Sequence, residues 1–260
     1  MLALSIFRCL KGMGALKVNH LILRYSWIAV ALTIVLGAVA VRAQSPAQDV
    51  SLSKFDWPGL SRYAAANAML PSPAPGENRV VFMGDSTTDG WHLDGPEGSF
   101  PGKPYINRGI SGQTTPQMVL RFPQDVIALK PKVVVILAGI NDIAGNTGIE
   151  TLEQIEGYLS SMTDLAAANN IRVVLCSVTP AFDFPWRPGL EPAPKVLALN
   201  AWMKAYAAQK GYVYVDYHSA MKDERNGLPA TLSKDGVHPL PAGYAVMAPL
   251  VEAGIQKALK

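Results

Sequence analysis

The distribution of apolar and polar positions indicates a parallel β-sheet whose strands alternate with helices. Five short runs are almost continuously apolar and rich in β-branched residues: residues 79–84, 104–109, 132–139, 171–178 and 211–217. Such runs are typical of strands that are covered on both faces, as they are in a parallel sheet. The pattern therefore predicts five buried strands.

Helical patterns separate the predicted strands. The clearest covers residues 151–168, where Thr151 and Gln154 form a capping-box pattern and apolar residues recur along one stripe. We interpret the stripe as core packing. Further helical patterns cover residues 195–209 and about 241 to 258. Because no long linker interrupts the alternation, the sequence predicts a single α/β domain with three layers.

The first 43 residues have the pattern of a signal peptide. They contain five basic residues and no acidic one, and they include an apolar run at 27–41 before small residues suited to cleavage after Ala40 or Ala43. An uncleaved membrane anchor is the alternative, although the run is short for a span of about 20 residues. We expect an exported protein, periplasmic or secreted, with a lead-in segment at 44–78 and the functional domain at 79–260.

Removal of this segment changes the charge of the chain. From Gln44 onward there are 18 basic and 20 acidic residues, so the positive formal charge of the whole sequence comes from the N-terminal segment. No basic cluster remains, which argues against a nucleic-acid partner. We expect membrane contact only through the N-terminal segment, if it stays uncleaved. The single cysteine of the remaining chain, Cys176, lies in an apolar run and is interpreted as a core residue.

Polar residues gather where the predicted strands end. The ends carry GDS at 84–86, NRGISG at 107–112, AGIND at 138–142, TPAFDFPW at 179–186 and, beyond the last strand, DGVHP at 235–239. In open parallel sheets, ligands bind outside the carboxyl ends of the strands. The sequence therefore predicts a functional site at this edge.

Ser86, Asp235 and His238 are candidates for nucleophilic chemistry. A serine hydroxyl is a weak nucleophile, so a hydrolase needs a base within hydrogen-bond reach and an acid that orients the base. Asp235 and His238 are three residues apart in a glycine-containing loop, a spacing that lets the side chains meet. The alternatives are an accidental pair on an exposed loop and a serine that caps a helix. His92 and His218 have no such partner in the sequence and are interpreted as structural or rim residues.

Two further strand ends offer donors for a developing oxyanion. Gly109 can present a backbone N–H without a side chain in the way, and Asn141 can present an amide. Each residue is also common in turns. A phosphate-binding loop is not favoured at 80–91, because the stretch matches neither of the usual glycine-rich nucleotide motifs.

In order and spacing, the blocks GDS, NRGISGQTT, GIND and DGVHP resemble those of the SGNH (GDSL-type) hydrolases over residues 79–258. The resemblance implies a flavodoxin-like five-stranded parallel sheet, with Ser86 as the nucleophile and His238 as a base that Asp235 orients. It also implies an oxyanion hole built from the Ser86 and Gly109 amides and the Asn141 side chain. The reaction would need no metal ion and no organic cofactor.

The sequence gives less information about the ester. Phe182, Phe184 and Trp186 lie among prolines at the predicted site edge, where an aromatic face such as that of Trp186 can stack on a sugar ring. The alternative is a loop pinned by its own aromatic residues. Export and the resemblance favour an acetylesterase acting on a glycan or another small ester. A lysophospholipase or thioesterase for longer acyl chains and a catalytically silent glycan-binding module are the alternatives.

Overall fold

The computed structural model describes residues 55–95 and 97–260. The predicted signal peptide and residues 44–54 of the lead-in segment lie outside the described residues. Within the described part, the strands are β1 (Val80–Gly84), β2 (Tyr105–Gly109), β3 (Val133–Leu137), β4 (Arg172–Cys176) and β5 (Val213–Val215). The α-helices there are α1 (Ala64–Met69), α2 (Ser86–Asp89), α3 (Thr115–Asp125), α4 (Ile140–Ile143), α5 (Leu152–Ala168), α6 (Ala193–Lys210), α7 (Tyr217–Met221) and α8 (Pro241–Leu259). No helix of this part is both long enough and apolar enough to cross a membrane.

The five strands form one parallel sheet in the order β2-β1-β3-β4-β5. This is the flavodoxin-like strand order, so the predicted fold class is confirmed. Every residue of β1 and β3 is buried, as their continuous apolar runs predict. The strands are shorter than the runs because residues at the ends of the runs already belong to turns and loops.

Apolar cores cover the two faces of the sheet. Side chains alternate along a strand, so Val81 of β1 lies in one core and Val80 in the other. The first core includes buried side chains of α3, α5 and α6, whereas the second includes those of α8. Cys176 lies in the second core, where burial raises the pKa of its thiol to about 12. Its interpretation as a core residue is confirmed.

Helix α3 is a feature that the apolar pattern does not predict. Its buried face mixes Met118 and Phe122 with the polar residues Gln117, Arg121 and Asp125, so the usual apolar stripe is broken. The helix begins at a capping box formed by the residues at 114 and 117, with a proline in its first turn. These start signals are present in the sequence and could have located the helix.

Arg121 of α3 is completely buried behind the carboxyl ends of two strands. Its guanidinium donates to the Gly84 carbonyl at the end of β1 (3.0 Å) and to the Arg108 carbonyl in β2 (2.7 Å), and it pairs with Asp125 at 3.2 Å. A buried charge is tolerated when it is paired and fully hydrogen-bonded. Arg121 therefore fastens the ends of β1 and β2 together beneath the predicted site.

The second half of the lead-in segment belongs to the domain. The compact unit begins at Asp56, whereas the sequence placed its boundary at residue 79. The Gln113 side chain donates to the Pro58 carbonyl at 2.7 Å, and the Tyr63 hydroxyl donates to the Gly109 carbonyl. Pro58 and Tyr63 thus attach this segment to the loop that follows β2 and to the end of β2 itself.

Candidate active site

The turn after β1 presents Ser86 at the start of a short helix. The Asp85 carboxylate accepts a hydrogen bond from the Thr87 N–H at 2.9 Å and so caps α2. Gly84 is required at the end of the strand, because a Cβ there would lie 2.1 Å from the Thr88 Oγ1 atom. Asp85 is fully enclosed, and this burial raises the pKa of its carboxyl to about 7. The capping role belongs to Asp85, and the Ser86 hydroxyl is left to face the cleft.

Ser86, His238 and Asp235 lie in line. The Ser86 Oγ atom is 2.9 Å from His238 Nε2, and His238 Nδ1 is 2.6 Å from Asp235 Oδ2. The structure therefore brings together the three side chains that the sequence predicted to meet, although Ser86 is 152 positions away from His238. This arrangement lets the serine hydroxyl donate its proton to the imidazole while the carboxylate accepts the Nδ1 proton.

The DGVHP loop holds Asp235 rigidly. Its Oδ1 atom accepts three hydrogen bonds, from the Ser233 hydroxyl (3.0 Å), the Val237 N–H (3.0 Å) and the His238 N–H (2.8 Å). Partial burial alone would raise the pKa of the carboxyl, but these bonds and the one from the His238 ring outweigh it. They hold the pKa of Asp235 well below its ordinary value. Asp235 is therefore an anion over the whole range in which a histidine base can work.

The Asn141 side chain is buried and forms part of the lining of the same cleft. Its Nδ2 atom donates to the Gln113 carbonyl at 3.0 Å, and its Oδ1 atom accepts from Asn146 Nδ2 at 2.9 Å. An asparagine amide carries two N–H groups, so one remains available for a ligand. The backbone N–H of Ser86, at the start of α2, also makes no hydrogen bond to another described residue.

The structure does not bring Gly109 into the cleft. Its N–H donates to Asn107 Oδ1 at 2.8 Å, and its carbonyl accepts the Tyr63 hydroxyl. Its Cα faces α2 so closely that a Cβ would lie 2.1 Å from the Asp89 N atom. The prediction of a free donor at Gly109 is therefore corrected, because both of its polar groups are used within the fold.

Gly112, three residues later, occupies the place that Gly109 was expected to fill. It lines the cleft together with Ser86, Asn141 and His238. Its φ angle of +79° lies in the left-handed region that favours glycine, and its N–H makes no hydrogen bond among the described residues. The block NRGISG contains both glycines, and nothing in the sequence indicates which of the two reaches the cleft.

The cleft is a cavity of about 710 Å³ with a mostly polar or small lining near the serine. Trp186 forms part of its wall, 43% exposed, with its ring centroid 6.0 Å from that of His238. The indole stacks at 5.2 Å on Phe184, which is completely buried and so fixes its position. Phe182 instead lies against the Arg225 guanidinium and does not line the cleft.

The other two histidines of the described residues, His92 and His218, take no part in this arrangement. His218 is buried, and its backbone N–H donates to the Ser177 hydroxyl at 2.9 Å. Burial together with the Lys222 charge lowers the pKa of its ring. His92 is exposed on the surface. Within the described residues there is no group of three or more histidine, cysteine or acidic side chains arranged to hold a metal ion.

Asp142, next to Asn141, is buried and lies beside the carboxyl group of Glu150, which is only partly buried. Its Oδ1 atom accepts from the backbone N–H of Thr115 at 2.9 Å and from the hydroxyl of the same residue. Asp142 Oδ2 and Glu150 Oε2 are both buried without another hydrogen-bond partner in the described part of the chain. Burial, and then the nearby Asp142 charge, raise the pKa of Glu150 to about 7, and burial also raises that of Asp142. We therefore expect the two carboxyl groups to share one proton.

Replacement of Glu150 by glutamine is expected to make stability less dependent on pH. The raised pKa means that the shared proton stabilises the fold fully in acid, and that this contribution is lost as pH rises through about 7. A glutamine amide donates to Asp142 at every pH. Because Glu150 is partly exposed, we expect this pH-dependent contribution to the free energy of unfolding to be only roughly 1 kcal/mol. The Tm of the variant minus the Tm of wild type should thus increase by about 2–4 °C between pH 5 and pH 8.

Glu153→Gln is the control for this measurement, because Glu153 lies three residues after Glu150, in the first turn of α5, but is fully exposed. Its Tm relative to wild type should not rise over the same range. Asp85 titrates alike in all three proteins, so its contribution cancels in the comparison. A Tm difference for Glu150→Gln that stays constant with pH would show that no proton is shared.

Comparison with known proteins adds to this geometry. The model of the GDSL-like lipase/acylhydrolase family matches residues 82–246. An acetylxylan esterase from Geobacillus stearothermophilus is 27% identical over 201 residues, which cover 65% of this chain and 90% of that protein. An acetylxylan esterase from Xylanibacter ruminicola is 27% identical over 223 residues, 72% of this chain, but this chain spans only 45% of its length. The solved structure of a GDSL-like lipase from Bacteroides thetaiotaomicron is 46% identical with a TM-score of 0.74, covering 77% of this chain and 98% of that one.

Proposed function

The chain belongs to the GDSL-like lipase/acylhydrolase family and is a carboxylic ester hydrolase, and we propose that it removes acetyl groups from carbohydrate esters by way of Ser86, His238 and Asp235. The observation that carries the assignment of residues is the line of short contacts from Ser86 Oγ through the His238 ring to Asp235. The names of the two acetylxylan esterases support the choice of substrate.

The first half of the reaction forms an acyl-enzyme. The Ser86 oxygen attacks the ester carbonyl carbon while its proton passes to His238 Nε2. The carbonyl oxygen becomes an oxyanion, and the Ser86 N–H, the Gly112 N–H and the free N–H of Asn141 are the donors proposed to receive it. When the tetrahedral intermediate collapses, the C–O bond to the sugar breaks and His238 gives its proton to the departing alcohol.

The second half returns the enzyme to its starting state. Water takes the place of the alcohol, gives a proton to His238 Nε2 and attacks the acyl carbon. Collapse of the second intermediate breaks the bond to the Ser86 oxygen, which recovers its proton from His238, and the carboxylic acid leaves. In both halves Asp235 holds the Nδ1 proton and stabilises the imidazolium that forms briefly.

A short acyl group and a carbohydrate alcohol fit the lining of the cleft. The lining combines glycine, serine and asparagine residues with the larger side chains of Trp186, Pro239 and Tyr244. An indole that is stacked on a buried phenylalanine offers a fixed flat face beside the base, and such a face suits a sugar ring. Predicted export would place the protein where polymeric glycans occur.

A panel of esters tests the proposal. We expect p-nitrophenyl acetate to be hydrolysed with a higher kcat/KM than p-nitrophenyl decanoate, and acetylated xylooligosaccharides to release acetate. For Trp186→Ala, loss of a stacking contact worth on the order of 1 kcal/mol should raise KM about 5-fold for the oligosaccharide. The same variant should leave KM for p-nitrophenyl acetate nearly unchanged.

Phe182→Ala is the matched control, because Phe182 is similarly exposed on the same loop but lies outside the cleft. It should behave like wild type on every ester of the panel. A preference for the decanoate ester would replace the acetylesterase assignment with a long-chain acylhydrolase. Equal effects of the two aromatic substitutions would remove the role proposed for Trp186.

A further inference from the structure

Asn146 lies at the edge of the cleft, in the loop after α4, and contacts both of the outer donors of the proposed oxyanion hole. Its Nδ2 atom donates to the Gly112 carbonyl at 3.1 Å and to Asn141 Oδ1 at 2.9 Å. Its backbone N–H donates to the Asn141 carbonyl at 3.0 Å. Two acceptors on one nitrogen also settle the orientation of the amide, because the oxygen cannot take that place.

The strand order explains why such a link is needed. Gly112 follows β2 and Asn141 follows β3, and these two strands are not neighbours, because β1 lies between them. No ladder of hydrogen bonds between adjacent strands therefore sets the distance between the two donors. Side-chain bonds across the gap must do so, and those closest to the donors are Asn141 to the Gln113 carbonyl and Asn146 to Gly112 and Asn141.

The bond to Asn141 Oδ1 also fixes which end of that amide faces the cleft. The last torsion of an asparagine side chain is broad, so hydrogen bonds rather than rotamer preference determine the direction of the amide. Asn146 holds the oxygen of Asn141 away from the reacting carbonyl. Without Asn146, only the bond to the Gln113 carbonyl would keep the Asn141 N–H group aimed at the oxyanion.

We propose that Asn146 is a positioning residue, which sets the distance and direction of the Gly112 and Asn141 donors through its single amide nitrogen. This inference rests on the proposed function, since it takes those two groups as donors to the oxyanion. A donor that is aimed in advance stabilises the transition state without reorganisation at the moment of reaction. The contribution of Asn146 should therefore be seen in kcat and much less in KM.

Asn146→Ala tests this role with p-nitrophenyl acetate as the substrate. Direct removal of an oxyanion donor costs about 10²–10³ in kcat, so loss of its support should lower kcat by roughly 10- to 100-fold. KM and Tm should stay close to those of wild type, because Asn146 is exposed and outside the core. Asn146→Asp should be at least as slow, since a carboxylate oxygen would then face two acceptors. The affinity for phenylboronic acid, which forms a tetrahedral adduct on the serine, should fall in parallel with kcat.

Asn169→Ala is the matched control, because Asn169 is an exposed asparagine that donates to a backbone carbonyl at the end of α5. It should keep wild-type kcat. In an Asn141→Ala background, Asn146→Ala should lower kcat by less than about 3-fold. The reason is that Asn146 contacts the donor group itself only at Asn141, whereas at Gly112 it contacts the carbonyl.

Three results would overturn the inference while the proposed function stands. They are an unchanged kcat for Asn146→Ala, a rise in KM alone, which would mean substrate contact, and a full additional loss in the Asn141→Ala background. The proposed function itself fails in a different way, namely if wild type and Ser86→Ala hydrolyse the ester equally, and the inference then falls with it.

Discussion

Ser86→Ala is expected to lower kcat for ester hydrolysis by about 10⁴-fold or more. The substitution removes the oxygen that lies 2.9 Å from His238 Nε2, so no acyl-enzyme can form. Alanine keeps the backbone N–H at position 86, so this proposed oxyanion donor remains. What is left should be slow direct attack by water, assisted by the donors of the cleft. Initial rates with p-nitrophenyl acetate measure the fall in kcat, and titration with a serine-reactive phosphonate measures the loss of the nucleophile.

Ser161→Ala provides the comparison, because this serine is exposed on α5 and its hydroxyl donates only to the Gly157 carbonyl of the same helix. Its rate and its phosphonate titration should match those of wild type. Thermal unfolding of both variants verifies that the fold is intact. Residual activity of Ser86→Ala within tenfold of wild type would mean that another residue carries the reaction.

Asp235→Asn is expected to lower kcat by about 10⁴-fold, although it changes a single atom. Asp235 Oδ1 accepts three hydrogen bonds from its own loop, so the asparagine oxygen will keep that position. The new NH₂ group must then face His238 Nδ1 as a donor. This forces the ring into the tautomer with its proton on Nε2, which can no longer accept a proton from Ser86. Both the orientation of the ring and its charge stabilisation are lost.

The control for this substitution is Asp216→Asn. Asp216 is the N-cap residue of α7, where its carboxylate accepts from the Ser219 N–H, and asparagine caps a helix equally well. This variant should retain full activity. We expect Asp235→Asn to bind phenylboronic acid more weakly and to unfold at nearly the wild-type temperature. Wild-type kcat for Asp235→Asn would mean that the imidazole does not depend on this carboxylate.

The elements with continuous or periodic apolar patterns could be predicted from the sequence. The run at 132–139 contains β3, and the helix predicted at 151–168 is α5, which begins one residue later because Thr151 is its cap. Helix α3 was not predicted, because Arg121 and Asp125 occupy positions on its buried face and interrupt the apolar pattern. Their burial is possible only because the carbonyl groups of β1 and β2 accept the guanidinium, and such long-range pairing leaves no local pattern.

The candidate site also contains some residues that the sequence predicts and others that it does not. Ser86 and His238 lie where a strand end and a short loop place them, and both positions follow from local sequence. The choice between Gly109 and Gly112 does not, because it depends on Asn107 occupying the Gly109 N–H and on α2 packing against the Gly109 Cα. Asn146 also gave no signal in the sequence, since its role depends on two loops that follow non-adjacent strands.

The hydrogen bond between Gln113 and Pro58 limits where the chain can be cut. The Pro58 carbonyl holds the side chain of Gln113, whose own carbonyl accepts from the Asn141 amide. Processing after Ala40 or Ala43 leaves this support whole. A protease site or an expression boundary placed between Pro58 and Asn78 would remove it. Such a cut would weaken the enzyme while sparing every residue that contacts the ester.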